Sequence, residues 1–259
     1  MKKKINTKKI IFGALAILGF LVLWHFGTKG TRLGELIPGP LAVFARLIKC
    51  TYTPTGSFTL FGHILQSLSR VMTGFLLAAA LGITLGLAMG WSKSAEAIVR
   101  PLFETIRPIP PIAWISIAVI WFGLGEGAKY FIIFISGFAN ITINVYTGAK
   151  SVDPELIGAA KMLGCSDRKI FTTIVIPSSI PYIFTGLQIA ISSSWAAVVA
   201  AEMVRSTDGI GWMITSGQGI GDMEQIMVGI IAIGVIGFLL ATIMRGVEAK
   251  LCAWSRVHE

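Results

Sequence analysis

Histidines, cysteines and serines are the residues of this chain best able to do chemistry. Their spacing argues against catalysis. His25, His63 and His258 stand far apart, with no paired spacing that would hold a metal. Cys50, Cys165 and Cys252 are equally dispersed, and an odd count does not make a disulfide framework. The run SSSW, 192–195, offers hydroxyls, but no histidine lies close in sequence to activate one. His63 shares a helical stripe with Gln66 and Arg70, which fits a membrane edge better than a catalytic site. The phosphate-cradling pattern G-x-x-x-x-G-K-[ST] does not occur, so the chain is not expected to cradle ATP. No cofactor or metal is expected in it.

The elements that position these residues are apolar. The chain has 259 residues, of which 54% are hydrophobic and 14% charged. Soluble domains are nearer to about 45–50% apolar and about 25% charged. Six apolar runs approach the ~20 residues needed to cross a bilayer: 10–26, 68–90, 103–123, 130–148, 180–204 and 226–245. The third is broken by Pro108, Pro110 and Pro111, and its uninterrupted part could be re-entrant instead. The fold class is therefore all-α, with about six transmembrane helices in one domain over 1–259, comprising an anchor helix at 1–27 and a core at 60–250. The basic start and apolar middle of 1–26 also suit a signal peptide. No small-x-small cleavage site follows, so a retained helix is expected. The segment IPGPLAVFARLI is too short to span and reads as an interfacial helix.

Lys2, Lys3, Lys4, Lys8 and Lys9 place the N-terminus in the cytoplasm. Six crossings then put 91–102, 149–179 and 246–259 on the same side, with Lys93, Arg100, Lys150, Lys161, Arg168, Lys169, Lys250 and Arg256. The loop at 205–225 lies outside and holds Asp208, Asp222 and Glu224. The segment 27–67 dissents, with Lys29, Arg32, Arg46 and Lys49. The net charge of +9 is read as this orientation signal, with no nucleic-acid role.

Polar residues inside spans either line a pathway or bond helix to helix. Asn140 and Asn144 lie one turn apart. Gln188, Ser192 and Trp195 share a side of the fifth span. Glu202 and Arg205 have the spacing of a local ion pair. Both readings of this set are open at the level of sequence.

The stretch DPELIGAAKMLGCSDRKIFTTIVIP, 153–177, is the most polar and best-capped part of the interior. Asp153 suits an N-cap, Pro154 the first helical position and Glu155 an acid in the first turn. Leu156, Ile157, Ala160 and Leu163 make one apolar face. Gly164 is the expected left-handed stop, Ser166 caps a second short helix, and Pro177 ends it. Small Ala159 and Ala160 would let a partner surface approach closely.

That stretch resembles the EAA loop of ABC-importer permeases: Glu-Ala-Ala, three residues, Gly, nine residues, Ile, two residues, Pro. Ala159, Ala160, Gly164, Ile174 and Pro177 match it, and Gly158 stands where the family has Glu, with Glu155 one turn earlier. HILQSLSRVMTGF, RPIPPIAW, IWFGLGEGAKYFIIF, IPYIFTGLQIA and WAAVVAAEM are similar to the nitrate, sulfonate and taurine branch of these permeases. The resemblance implies a type I importer permease core and a cytoplasmic coupling loop that docks on an ATPase. It also implies a homodimer, since no second permease half is fused here, with two ATPase subunits that bind ATP and magnesium and an extracytoplasmic substrate-binding protein. The implied place is the bacterial cytoplasmic membrane, multi-pass, with both termini inside. The implied cargo is a small anion or zwitterion: taurine, an alkyl sulfonate or nitrate. Bicarbonate, a thiamine precursor and an aromatic acid are the alternatives. A passive channel or an intramembrane enzyme would leave the loop unexplained.

Overall fold

A computed structural model describes residues 7–252, and it is helical throughout. Lys2, Lys3, Lys4, Arg256 and His258 lie outside the described residues, as do the side chains of Lys8, Lys9 and Arg205. The helices in chain order are α1 (Thr7–Thr28), α2 (Arg32–Leu36), α3 (Pro40–Tyr52), α4 (Leu60–Trp91), α5 (Lys93–Ile106) and α6 (Ile115–Phe122). They continue as α7 (Glu126–Lys150), α8 (Pro154–Met162), α9 (Asp167–Ile170), α10 (Ile176–Arg205), α11 (Ile210–Ile220) and α12 (Met223–Leu251). Among the described residues, five stretches are long and apolar enough to cross a membrane. A sixth is made by α5 and the segment Pro111–Phe122, bent by 90°.

The centre of the bundle is the contact of α4 with α7, built on small residues. Gly74 meets Ile133, Ala78 meets Gly137, Gly82 meets Ile141, Gly86 meets Val145 and Gly90 meets Ala149. Each partner is one turn further along its own helix than the last, so α4 and α7 run parallel. A membrane gives helices no hydrophobic drive to associate, and close backbone approach through small residues supplies van der Waals contact instead. Antiparallel to both runs α10, with Tyr182 on Gly148 and Gly186 on Ile141 and Asn144. Trp195 bonds back from α10 to the Ile233 carbonyl of α12.

Parallel α4 and α7 require the chain between them to return across the bundle, and α5 and α6 do so together. Along α7, α5 descends from Lys150, paired with Glu96, through Tyr146, bonded to Glu96 and Arg100, to Phe138, whose ring meets Phe103. Past the proline break, Trp114 and Phe122 pack on Phe131. The expected third span is thus one broken crossing. It begins at Lys93, in the stretch that the sequence reading assigned to a loop at 91–102.

Two other expectations change. Pro177 does not end a short helix. The turn Phe171–Val175 is a π-turn in which the Ile176 amide donates to the Phe171 carbonyl, and helix continues through Pro177 into α10. The extra residue in that turn moves aside the carbonyl that a proline ring would strike. The loop at 205–225 also holds a helix, α11, packed between α10 and α12. As expected, α3 is too short to cross. Its Arg46 is tied to Asp222, 2.5 Å away, which accounts for one of the four dissenting cations.

A Cβ at Gly86 would sit 2.7 Å from Val145 Cβ and 2.8 Å from the Thr142 carbonyl, whereas one at Gly234 meets nothing within 4 Å. Gly86→Val is expected to cost about 1–3 kcal/mol of stability, and Gly234→Ala to be neutral or slightly stabilising. Thermal melting of the purified chain in detergent measures both.

Candidate functional site

Three features carry functional side chains. The first is the loop 153–177, at the end of the bundle where α4, α7 and α12 finish. Asp153 caps α8 by accepting from the Glu155 amide at 2.8 Å. Gly164 has φ +78, and the Cys165 amide reaches the Ala160 carbonyl at 3.0 Å, closing α8 as a left-handed C-terminal turn does. Ser166 then accepts from the Lys169 amide. Ile157, Phe171, Ile174 and Val175 anchor the loop on Ala149, Leu87 and Trp91, with the Trp91 and Phe171 rings 5.6 Å apart. Pro177 sits half-buried inside the helix that follows.

Ala160, expected to face a partner, is instead buried against its own chain. Packing fixes this: Ala160 and Ile157 lie on the inward face of α8. The outward face carries Leu156, Ala159, Met162 and Leu163, the last two 87% and 84% exposed. Gly158, in the motif's Glu position, is exposed with open space around it.

The second feature is a cavity of about 780 Å³ between the broken span and α7 and α10. Its walls are Phe103, Phe131, Phe134 and Phe138 with Trp114, and its polar groups include Arg107, Asn140 and Ser193. Of the candidate pathway residues, Asn140 faces this cavity. Its amide donates to Ser193 Oγ at 3.0 Å and to the Ser136 carbonyl at 2.9 Å. Asn144 bonds one turn back to the Asn140 carbonyl. Gln188 is tied to Glu248 of α12, and Ser192, on the exposed side, bonds back to the Gln188 carbonyl. Trp195 is buried at the α12 contact.

The third feature was missed at the level of sequence. Glu202 is fully buried, and its partner is Arg70 at 2.8 Å. Arg205 was the expected partner on spacing, but its side chain lies outside the described residues. Arg70 also holds both oxygens of Glu126, at 2.7 and 2.8 Å, and the carboxylate of Asp208. A planar guanidinium offers five donors in a rigid fork, against three on an ammonium, and so can hold several carboxylates in fixed directions. The first amides of α11 need acceptors, as in any helix. His63 Nδ1 accepts from Gly209 at 3.1 Å, Ser67 Oγ from Ile210 at 2.9 Å and Glu202 Oε2 from Gly211 at 2.9 Å. His63 is thus interior, not at a membrane edge, and its Nε2 carries the proton to the Thr55 carbonyl. The stripe that matters is His63, Ser67 and Arg70. Apart from Thr55, the residues linking to it lie 56 to 146 positions away, beyond any local spacing rule.

Apolar helices crossing together, one of them broken beside a cavity, with a capped loop exposed at one end, define a membrane-embedded transport subunit. The model of the family described as binding-protein-dependent transport system inner membrane component matches residues 78–251. The chain is 34% identical to the taurine transport system permease protein of Escherichia coli, covering 93% of this chain and 88% of that one. It is 37% identical to the bicarbonate transport system permease protein of Synechococcus elongatus, covering 89% and 85%. A solved amino acid ABC transporter with histidines has the same fold at 16% identity, with a TM-score of 0.63 over 73% of this chain and 92% of that one. The chain belongs to the family of binding-protein-dependent transport system inner membrane components. It is the permease subunit of an ATP-driven importer, a multi-pass membrane protein whose ATPase is a separate subunit.

Arg70→Gln leaves three carboxylates without their common partner, one of them fully buried. It is expected to destabilise the chain by about 3–5 kcal/mol, as for other broken buried pairs, with Arg70→Lys intermediate. Melting temperature and membrane yield, compared at equal transcript level, check this order.

Proposed function

We propose that 153–177 is the coupling element of the importer and docks on a cytoplasmic ATPase. The observation that supports this most is the exposed apolar pair Met162 and Leu163 on a loop whose opposite face is anchored in the bundle. Glu155, Leu156, Gly158, Ala159, Leu163 and Gly164 belong to the docking element, while Ala160, Ile174 and Pro177 hold it in place. The permease core at 60–250, preceded by the anchor helix at 1–27, works as a homodimer. Two ATPase subunits bind ATP and magnesium, and an extracytoplasmic protein delivers substrate. Both termini and α8 lie in the cytoplasm, following the lysine and arginine asymmetry. The cargo is a small anion or zwitterion of the taurine, alkyl sulfonate or nitrate kind, and the Synechococcus relative favours bicarbonate as the second reading. Asn140 and Ser193 lie on its route.

Met162→Asp and Leu163→Asp are exposed and should leave the chain folded. Each should abolish pull-down of the ATPase subunit and ATP-driven uptake in proteoliposomes. Unchanged pull-down with both would remove 153–177 from the coupling role. Gly164→Val should be strained by its positive φ at about 1–3 kcal/mol, without a clash, since nothing lies within 4 Å of its Cβ position.

Sidedness is tested by labelling. Gly209 is unsuitable for a cysteine, because its Cβ would strike the Glu202 carboxylate. Gly219 is exposed with open space. Gly219→Cys should react with an impermeant thiol reagent added outside intact cells, and native Cys165 should not. Labelling of Cys165 from outside would reverse the orientation.

A further inference from the structure

Residues 27–67 hold Lys29, Arg32, Arg46 and Lys49 against a single acid, Glu35. Of these five, only Arg46 forms an ion pair among the described residues, with Asp222. Positive charge on this side opposes the orientation set by the other loops, so it has another cause. The places of Lys29 and Arg32 point to one.

A groove of about 330 Å³ runs between α1 and α3. Leu18, Leu21, Val22 and Phe26 line it from α1, and Leu41 and Phe44 from α3, with His25 as its one polar side chain. Leu18, Phe26, Leu41 and Phe44 are each more than half exposed. None of residues 11–28 of α1 is buried by the rest of the chain. A gap between helices at membrane depth forfeits dispersion contacts unless something fills it, and an acyl chain is what the membrane supplies.

The groove ends under the cations. Leu18, Val22, His25 and Lys29 follow at spacings of four, three and four, which makes one stripe along α1. The Lys29 amide donates to the His25 carbonyl at 3.1 Å, so the last turn of α1 carries on to Lys29. Arg32 opens α2, and α2 is fastened to that same end. Thr31 Oγ1 donates to the Gly27 carbonyl at 2.6 Å and accepts from the Gly34 amide of α2. Both cations thus stand at the outer mouth of an apolar groove.

We propose that the groove between α1 and α3 binds one anionic phospholipid. An acyl chain lies along Leu18 and Val22 beside Phe44, His25 stands at the level of the ester groups, and the phosphate accepts from Lys29 and Arg32. A headgroup of net negative charge suits this cation pair, whereas the choline of a zwitterionic lipid brings a like charge to it. The proposal goes beyond the importer reading and rests on it only for the leaflet, which is the outer one.

The test is native mass spectrometry of the full-length chain in detergent, equilibrated with equal amounts of phosphatidylglycerol and phosphatidylcholine of identical acyl chains. One phosphatidylglycerol per chain should be retained, preferred by about 25-fold, or roughly fivefold for each basic residue at the headgroup. Lys29→Gln and Arg32→Gln, both at exposed positions, should each cut the preference about fivefold, and together bring it to parity. Lys93→Gln, an exposed cation at the other end of the bundle, should leave it unchanged. Val22→Trp fills the groove and should remove the lipid with the charges still in place. Equal retention of the two lipids overturns the proposal, since the groove is then ordinary lipid contact. So does an equal loss with Lys93→Gln, or retention that survives Val22→Trp. A dimer that Val22→Trp converts to monomer also overturns it, because a second copy then occupies the groove. ATPase pull-down and Cys165 labelling keep the readings apart. If pull-down holds while the lipid preference is absent, only this proposal falls; if Cys165 labels from outside while the preference holds, the site stands and its leaflet changes.

Discussion

Two parallel helices in backbone contact set the plan of this protein. Because α4 meets α7 through Gly74, Ala78, Gly82, Gly86 and Gly90, the α7 side chains of Ile133, Ile141 and Val145 seat directly on the α4 backbone, and the two helices run close and parallel. Everything between residues 92 and 125 must then carry the chain back across the bundle in a short path. A straight helix of membrane length is about 20 residues. The chain uses instead a charged, half-surface helix, a proline break and a short apolar helix. The cavity lies in the angle of that bend. The loop 153–177 lies at the shared end of the two parallel helices, anchored on Leu87, Trp91 and Ala149 of those same helices.

At the opposite end the order is kept by charge. Arg70 of α4 gathers Glu126 of α7, Glu202 of α10 and Asp208 of the following turn. The carboxylate of Glu202 in turn caps α11 with its second oxygen. Buried charge is tolerated here because every oxygen of Glu202 has a donor. The glycine contact supplies proximity, and the arginine supplies registry among helices that are far apart in sequence.

The sequence made the helical class, the crossings other than the third and the caps of α8 readable, because each rests on local rules. Hydropathy over ~20 residues finds a span, and Asp153, Pro154 and Gly164 follow helix-end chemistry within four residues of the end they mark. What escaped was non-local or depended on a neighbour. Pro177 reads as a stop from its own ring, but a π-turn upstream accommodates it. Ala160 reads as a small surface residue from its size, but the anchoring of Ile157 and Phe171 turns it inward. Glu202 reads as a partner for Arg205 from spacing alone, and only the fold brings Arg70 to it. Of the polar span residues, the sequence could list Asn140, Gln188 and Trp195 side by side. Only packing separates Asn140 at the cavity from Gln188 and Trp195 at the α12 contact.

The π-turn also has a mechanical meaning. Because it lets helix run unbroken from Asp167 to Val204, one continuous helical stretch of 38 residues, a contour of about 57 Å at 1.5 Å per residue, reaches from the exposed loop to the buried Glu202. A hinge at Pro177 would have absorbed a push on the loop locally. The continuous helix instead places the exposed loop and the carboxylate that secures α11 on one element, with no loop between them.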